Sequence, residues 1–160
     1  MTVEANRLQV QLRRALECEA WHGPSVLELL AGLSAAQAAS HPIAGAHSIW
    51  ELVLHLRSDY DLVLRRLAGD GRELTAAEDW PACPASTEEN WQPTVQELKL
   101  LSQKLRQTVR DFPDNRLDDP LVPEAPYTAY TQFIGITQHH ECHAGQIAVL
   151  KRVSAASTKA

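Results

Sequence analysis

Four long stretches of the chain carry apolar residues three or four positions apart, which is the spacing of one face of an α-helix. The predicted helices run from about Glu4 to Trp21, from Ser48 to Leu67 or Ala68, from Thr87 or Thr94 to Phe112, and from Tyr127 to Val153. No stretch of useful length alternates apolar and polar residues as a half-buried strand does. The pattern therefore predicts an all-α protein built as a four-helix bundle.

Helix-start signals lie at three points between or at the ends of these stretches. Ser25-Val26-Leu27-Glu28, Ser34-Ala35-Ala36-Gln37 and Ser48-Ile49-Trp50-Glu51 each match a capping box. In that motif the serine and the residue three positions later satisfy one another's backbone N–H groups. The first two predict short extra helices in a connection, and the third opens the second long helix. Residues 70–88 and 113–126 are rich in glycine, proline or acidic residues and predict irregular connections.

The composition is that of an ordinary globular domain. The chain has 160 residues, of which 44% are hydrophobic and 22% charged, so it can bury a sizeable core. We expect one domain over residues 1–160, with its core at about residues 4–153. The net charge of -5 and the isoelectric point near 5.8 argue against nucleic-acid binding, which depends on clustered lysine and arginine.

The sequence also indicates a cellular compartment. No apolar run reaches the about 20 residues that cross a bilayer, and the N-terminus shows no signal peptide, so no membrane partner is expected. The three cysteines, Cys18, Cys83 and Cys142, form no CxxC pair and suggest no disulfide framework. A reducing, cytoplasmic location is therefore expected.

The most informative motif is a group of histidines on the last predicted helix. His139 and His143 are four residues apart and share one helix face. His140 and His143 are three apart and share a face too, so the spacing alone does not choose between the two pairs. His55, on the second long helix, offers a third imidazole. Three protein ligands with one open position are the usual layout of a catalytic zinc site, and facing helices of a bundle can hold such ligands.

Other residues near the motif have secondary roles. Cys142 is a candidate thiolate ligand, although we expect it to be a small buried packing residue. His22 and His47 are candidates for the mouth of the pocket. Trp21 and Trp50 are expected to anchor the core rather than to bind substrate.

Over residues 7–152 the chain resembles the DinB-like (DinB/YfiT) superfamily. The motifs that carry the resemblance are Trp21-His22-Gly23-Pro24-Ser25, His47-Ser48-Ile49-Trp50-Glu51-Leu52-Val53-Leu54-His55, and His139-x-x-x-His143-Ala144-Gly145-Gln146-Ile147. Members are similar four-helix bundles that hold a divalent metal with three histidines, one on the second long helix and two in an HxxxH motif on the last. The resemblance implies His55, His139 and His143 as metal ligands, with His140 left as a neighbouring or surface residue.

The resemblance says less about the reaction. Some members resemble thiol transferases that join a low-molecular-weight thiol, such as bacillithiol or mycothiol, to an electrophile, and others resemble mycothiol-dependent isomerases. Hydrolysis by a metal-bound hydroxide is a sister mechanism at the same kind of site. The alternatives are a non-catalytic metal-binding protein and a helical interaction protein with incidental histidines. The sequence identifies no catalytic side chain.

The implied cofactor is a divalent metal ion, with zinc or nickel favoured over iron or manganese. We expect a small-molecule substrate bound at an open coordination position, in a pocket to which the regions of Trp80 and Tyr127 contribute. Gly145, in the middle of the last helix, is expected to allow the close approach of a neighbouring helix. The family also implies a homodimer.

Overall fold

The computed structural model describes residues 3–21 and 23–157, with side chains as far as residue 156. Within these ranges the chain forms seven α-helices, one short 3-10 helix and no β-strand. The helices are α1 Val3–Leu16, α2 Val26–Leu30, α3 Ala35–Ala39, α4 Ile49–Leu67, α5 Ala76–Asp79, α6 Glu88–Arg110 and α7 Ala129–Ser157, with the 3-10 helix at Asp114–Arg116. The predicted all-α class is confirmed.

The four long helices, α1, α4, α6 and α7, form the bundle. Both α1 and α4 pack against α6 and against α7. Trp50, Tyr60, Trp91 and Phe133 are almost completely buried between them and provide the largest side chains of the core. Trp50 is therefore the core anchor that the sequence predicts. None of the helices in the described residues combines the length and the apolar composition of a membrane span.

The predicted capping boxes are present at the starts of α2, α3 and α4. At Ser48 the backbone N–H donates to Glu51 Oε2 at 2.6 Å, and Ser48 Oγ accepts from the Glu51 N–H at 3.2 Å. A further capping box, at Thr75, opens α5 inside the connection predicted to be irregular. This small helix positions two residues of the site described below.

The first helix ends five residues earlier than predicted, at Leu16 rather than Trp21. The chain turns at Glu19, whose φ of 63° lies in the left-handed region. The Arg13 guanidinium stabilises this turn by donating to Cys18 Sγ at 3.1 Å and to Glu19 Oε2 at 2.5 Å. Trp21 follows the turn and is fully exposed, so its predicted role as a core anchor is wrong.

The third long helix takes the earlier of its two predicted starts, with Thr87 as N-cap and Pro93 inside the helix. Tertiary contacts hold this first part in place. The buried Trp91 donates from Nε1 to the Leu33 carbonyl at 3.0 Å, and Glu88 accepts from the Ala35 N–H at 2.6 Å. These contacts compensate for the backbone hydrogen bond that a proline removes.

Candidate metal centre

The first two turns of α4 place a histidine inside the bundle. From Ile49 to Leu56 every residue of α4 except Glu51 is buried, and His55 is only 6% exposed. His139 and His143 lie one turn apart on α7, which packs against α4. The Nε2 atom of His139 is 2.9 Å from Nε2 of His55 and 2.9 Å from Nε2 of His143. The structure thus brings together the three residues implied as ligands.

The partners of the other ring nitrogens determine which tautomers are present. Nδ1 of His55 is 2.9 Å from the backbone oxygen of Asp79 and 3.1 Å from its Oδ1, and these oxygens only accept hydrogen bonds. Nδ1 of His143 is 2.7 Å from the side-chain oxygen of Gln146. Both Nδ1 atoms are therefore donors, and both Nε2 atoms carry lone pairs that face the cluster. This arrangement is typical of metal-ligating histidines.

A bound cation would satisfy the three Nε2 atoms better than hydrogen bonds among the rings can. His139 Nε2 carries at most one proton, so it cannot satisfy the lone pairs of both His55 and His143. Nitrogens that bind one zinc ion at about 2.0–2.1 Å lie about 3.0–3.4 Å from one another. The observed separations of 2.9 Å are close to this range. A divalent ion held by the three imidazoles would satisfy every Nε2 atom.

A carboxylate that the sequence analysis missed completes the group. Asp59 lies one turn after His55 on α4, and its Oδ2 is 3.0 Å from His139 Nε2 and 3.7 Å from His55 Nε2. The close approach of the Asp59 carboxylate raises the pKa of His139. The sequence signal was the spacing His55-x-x-x-Asp59, which equals that of His139 and His143. Acidic residues at this spacing are common on helix surfaces, so the signal is weak.

Trp80 and Asp79 bring the connection after α4 onto the site. The Trp80 indole stacks on the His55 imidazole, with centroids 4.1 Å apart and planes 6° apart. Trp80 also stacks with His47, at 3.8 Å and 12°. His47, which is half-exposed, therefore contacts the site only through Trp80. No local signal predicted the role of Asp79.

A cavity of about 480 Å³ lies beside the cluster, in the groove between α4 and α7. Asp59 and His139 line it near the cluster, and Tyr127 contributes to its wall, as predicted for that region. His139 is the most accessible of the three histidines, with 41% of its side chain exposed against 7% for His55. A ligand entering through this cavity therefore reaches the cluster from the His139 side.

The family comparison agrees with this geometry. A family model described as the DinB superfamily matches residues 21–147, which include His55, His139 and His143. The chain belongs to the DinB superfamily. No curated protein and no solved structure matches the chain.

In this DinB-superfamily chain, His140 is not a surface residue. It is fully buried, and its ring meets that of Tyr60 edge to face with centroids 4.4 Å apart. Successive residues of a helix point about 100° apart, so His140 packs on Tyr60 in the core while His139 meets His55. Neither ring nitrogen of His140 has a hydrogen-bond partner among the described residues. Burial lowers the pKa of His140 from 6.5 to about 3 and keeps the ring neutral.

Two further expectations about α7 are wrong. Cys142 is exposed, so it is neither a ligand nor a buried packing residue, because it points about 100° away from His143. Gly145 does not admit a neighbouring helix, since a Cβ atom added there would meet nothing within 4 Å. His22, the remaining candidate for the pocket mouth, lies outside the described residues.

Because His140 is buried, we expect acid to destabilise the metal-free fold. The unfolded chain protonates this ring near pH 6.5 and the folded chain only near pH 3. Its contribution to stability is therefore complete above about pH 6.5 and is lost as the pH falls toward 3, by up to about 1.4 kcal/mol per unit. Urea unfolding from pH 7.5 to 4 should show a flatter pH dependence for His140→Phe than for the unsubstituted chain. The exposed variant His41→Phe is the control, and parallel pH profiles for the chain and His140→Phe would contradict the prediction.

Proposed function

We propose that this protein binds one divalent metal ion through Nε2 of His55, His139 and His143 and joins a small thiol, through its sulfur, to an electrophile. The metal site is supported by one observation, the convergence of three imidazoles, in which Nε2 of His139 lies 2.9 Å from Nε2 of His55 and from Nε2 of His143. The Nδ1 contacts to Asp79 and Gln146 support it, because they hold two of the rings in the ligating tautomer.

The chemistry follows from what surrounds the cluster. A bound divalent ion would lower the pKa of a coordinated thiol, so that the thiolate forms at neutral pH. Asp59 Oδ2, 3.0 Å from His139 Nε2, is in position to accept the thiol proton. The sulfur lone pair then forms a bond to the electrophilic carbon, and the leaving group departs with its bonding electrons. His55 is buried and one face of its ring is covered by Trp80, which limits the access of water to this imidazole.

The open position is supported by the cavity. About 480 Å³ is within the range of small-molecule sites, and the cavity meets the cluster on the side of the half-exposed His139. A metal held only for structural purposes would be enclosed by protein ligands. The accessible side of the cluster therefore favours an enzyme over a structural metal site.

Removing the metal is expected to abolish thiol transfer and to weaken the fold. Untagged protein should contain about one zinc or nickel ion per chain, and chelation should reduce the rate with a small thiol and monochlorobimane by more than about 100-fold. Because the ion binds only the folded chain, free metal at 100 times its dissociation constant should add about 2.7 kcal/mol to the free energy of unfolding. Elemental analysis, the fluorescence assay and urea titration measure the three quantities.

The alternatives give different results in the same experiments. If the metal-loaded protein releases nitrophenol from a nitrophenyl ester when no thiol is present, the protein is a hydrolase. Stoichiometric metal with neither activity would indicate a non-catalytic metal protein. If the protein holds no metal either after purification or after reloading, the remaining alternative is a helical interaction protein.

A further inference from the structure

A buried arginine lines the same cavity as the histidine cluster. Arg66, on α4, is only 4% exposed, which is unusual for a guanidinium. Its NH1 group donates to Gln132 Oε1 at 2.7 Å, and its NH2 group donates to Glu73 Oε1 at 2.5 Å. Its Nε atom has no hydrogen-bond partner among the described residues. The acidic partner, Glu73, belongs to the connection after α4, and 66% of its side chain is exposed.

Because α4 and α7 pack antiparallel, a contact between the two helices lies at each end of the cavity. Asp59 contacts His139, and Arg66, seven residues later on α4, contacts Gln132, seven residues earlier on α7. Seven residues correspond to two helical turns, or about 10 Å. A ligand that reaches the cluster through this groove can therefore contact Arg66 with its other end.

The charges of the lining favour an anion. Asp59, Arg66 and Glu73 are the charged side chains of the cavity wall, apart from the histidine. With a divalent ion on three neutral imidazoles, positive charges in the cavity outnumber negative ones. Glu73 is the only acid of the described residues that pairs with Arg66, and its exposed side chain can move into water at little cost.

We infer that the small thiol of the proposed function carries a carboxylate, which Arg66 binds at the end of the cavity away from the metal. Glu73 occupies this position until the substrate displaces it. The planar guanidinium matches a carboxylate with two parallel hydrogen bonds, and the contact to Gln132 holds it in the required orientation. This inference rests on the proposed function, because it assumes that the thiol end binds at the histidine cluster.

Cobalt-loaded full-length protein tests the inference without relying on turnover. Thiol binding produces a sulfur-to-cobalt absorption band, which gives dissociation constants for mercaptohexanoate and for mercaptohexanol, an uncharged thiol of the same length. We expect the acid to bind about tenfold tighter or more, as a charge-assisted hydrogen bond would give. Mercaptopropionate, which is too short to span about 10 Å, should lack this advantage.

Three variants assign the preference to the arginine. Arg66→Gln should remove the preference for the acid, whereas Arg65→Gln, a neighbouring arginine paired with Asp61, should keep it. Glu73→Gln should tighten binding of the acid several-fold and leave the alcohol unchanged, because the competing carboxylate is gone. This last variant concerns an exposed side chain, so it tests the inference even if Arg66→Gln does not fold.

The outcomes separate the two proposals. Equal affinities for acid and alcohol in the unsubstituted protein, or no effect of Glu73→Gln on the acid, would overturn the carboxylate site and leave the thiol chemistry standing. The absence of a sulfur-to-cobalt band with every thiol would overturn the proposed function together with the inference.

Discussion

His55→Ala is expected to lower the affinity for zinc or nickel by more than about 100-fold, since even the loss of a residue that only supports a ligand costs 10- to 100-fold. His55 supplies the single imidazole that α4 offers, with its Nε2 2.9 Å from that of His139. Its loss leaves two ligands on one helix, and it also removes the contact to Asp79 that ties the connection to α4. Metal content after dialysis against a chelator, followed by a competitive titration, measures the change.

The matched control for this variant is His41→Ala. His41 is half-exposed and pairs with Glu51 away from the cluster, so its removal should leave metal content unchanged. Circular dichroism establishes whether His55→Ala is folded, and His143→Gln provides the same test with a smaller change in volume. Equal metal affinities for the unsubstituted chain and both ligand variants would show that the histidines do not bind the ion.

Asp59→Asn is expected to reduce thiol transfer by about 10²- to 10⁴-fold while metal remains bound. Asparagine preserves the shape of the side chain but cannot accept the thiol proton as a carboxylate does. In the metal-free protein the substitution should also lower the pKa of His139, because the Asp59 carboxylate raises it. Rates at saturating thiol and metal content are measured on the same preparations, so that a loss of activity is not confused with a loss of metal.

Asp61→Asn is the control for the carboxylate. Asp61 lies two residues further along α4, is more exposed and pairs with Arg65, so it does not reach the cluster. Unchanged transfer in Asp59→Asn would exclude Asp59 as the proton acceptor. Equal losses in both variants would indicate a general effect of charge on the helix rather than a role at the site.

The parts of the site that the sequence predicted are those that depend on short-range spacing. His139 and His143 are one turn apart in the chain and therefore one turn apart in space, and the caps at Ser34 and Ser48 are satisfied within four residues. His55 and the choice of His139 over His140 required more than spacing, and the resemblance to the DinB-like superfamily supplied both.

The parts that the sequence did not predict come from long-range packing. Asp79 and Trp80 lie in a connection that resembles an exposed loop, yet they contact His55 at a separation of 24 residues or more. Trp21 looked like a core residue, but the turn at Glu19 places it in solvent. Neither outcome follows from neighbouring residues, because each depends on where another helix lies.

Taken alone, the sequence determined the long helices, most of their caps and two alternative imidazole pairs on α7, because helical hydrogen bonds and side-chain periodicity join residues only three or four positions apart. Only the tertiary structure decided that His139 meets His55 while His140 packs on Tyr60, and that Asp59 and Arg66 line one cavity. The rotation of a helix about its axis is set by the burial of all its apolar side chains against its neighbours, which is a property of the whole core.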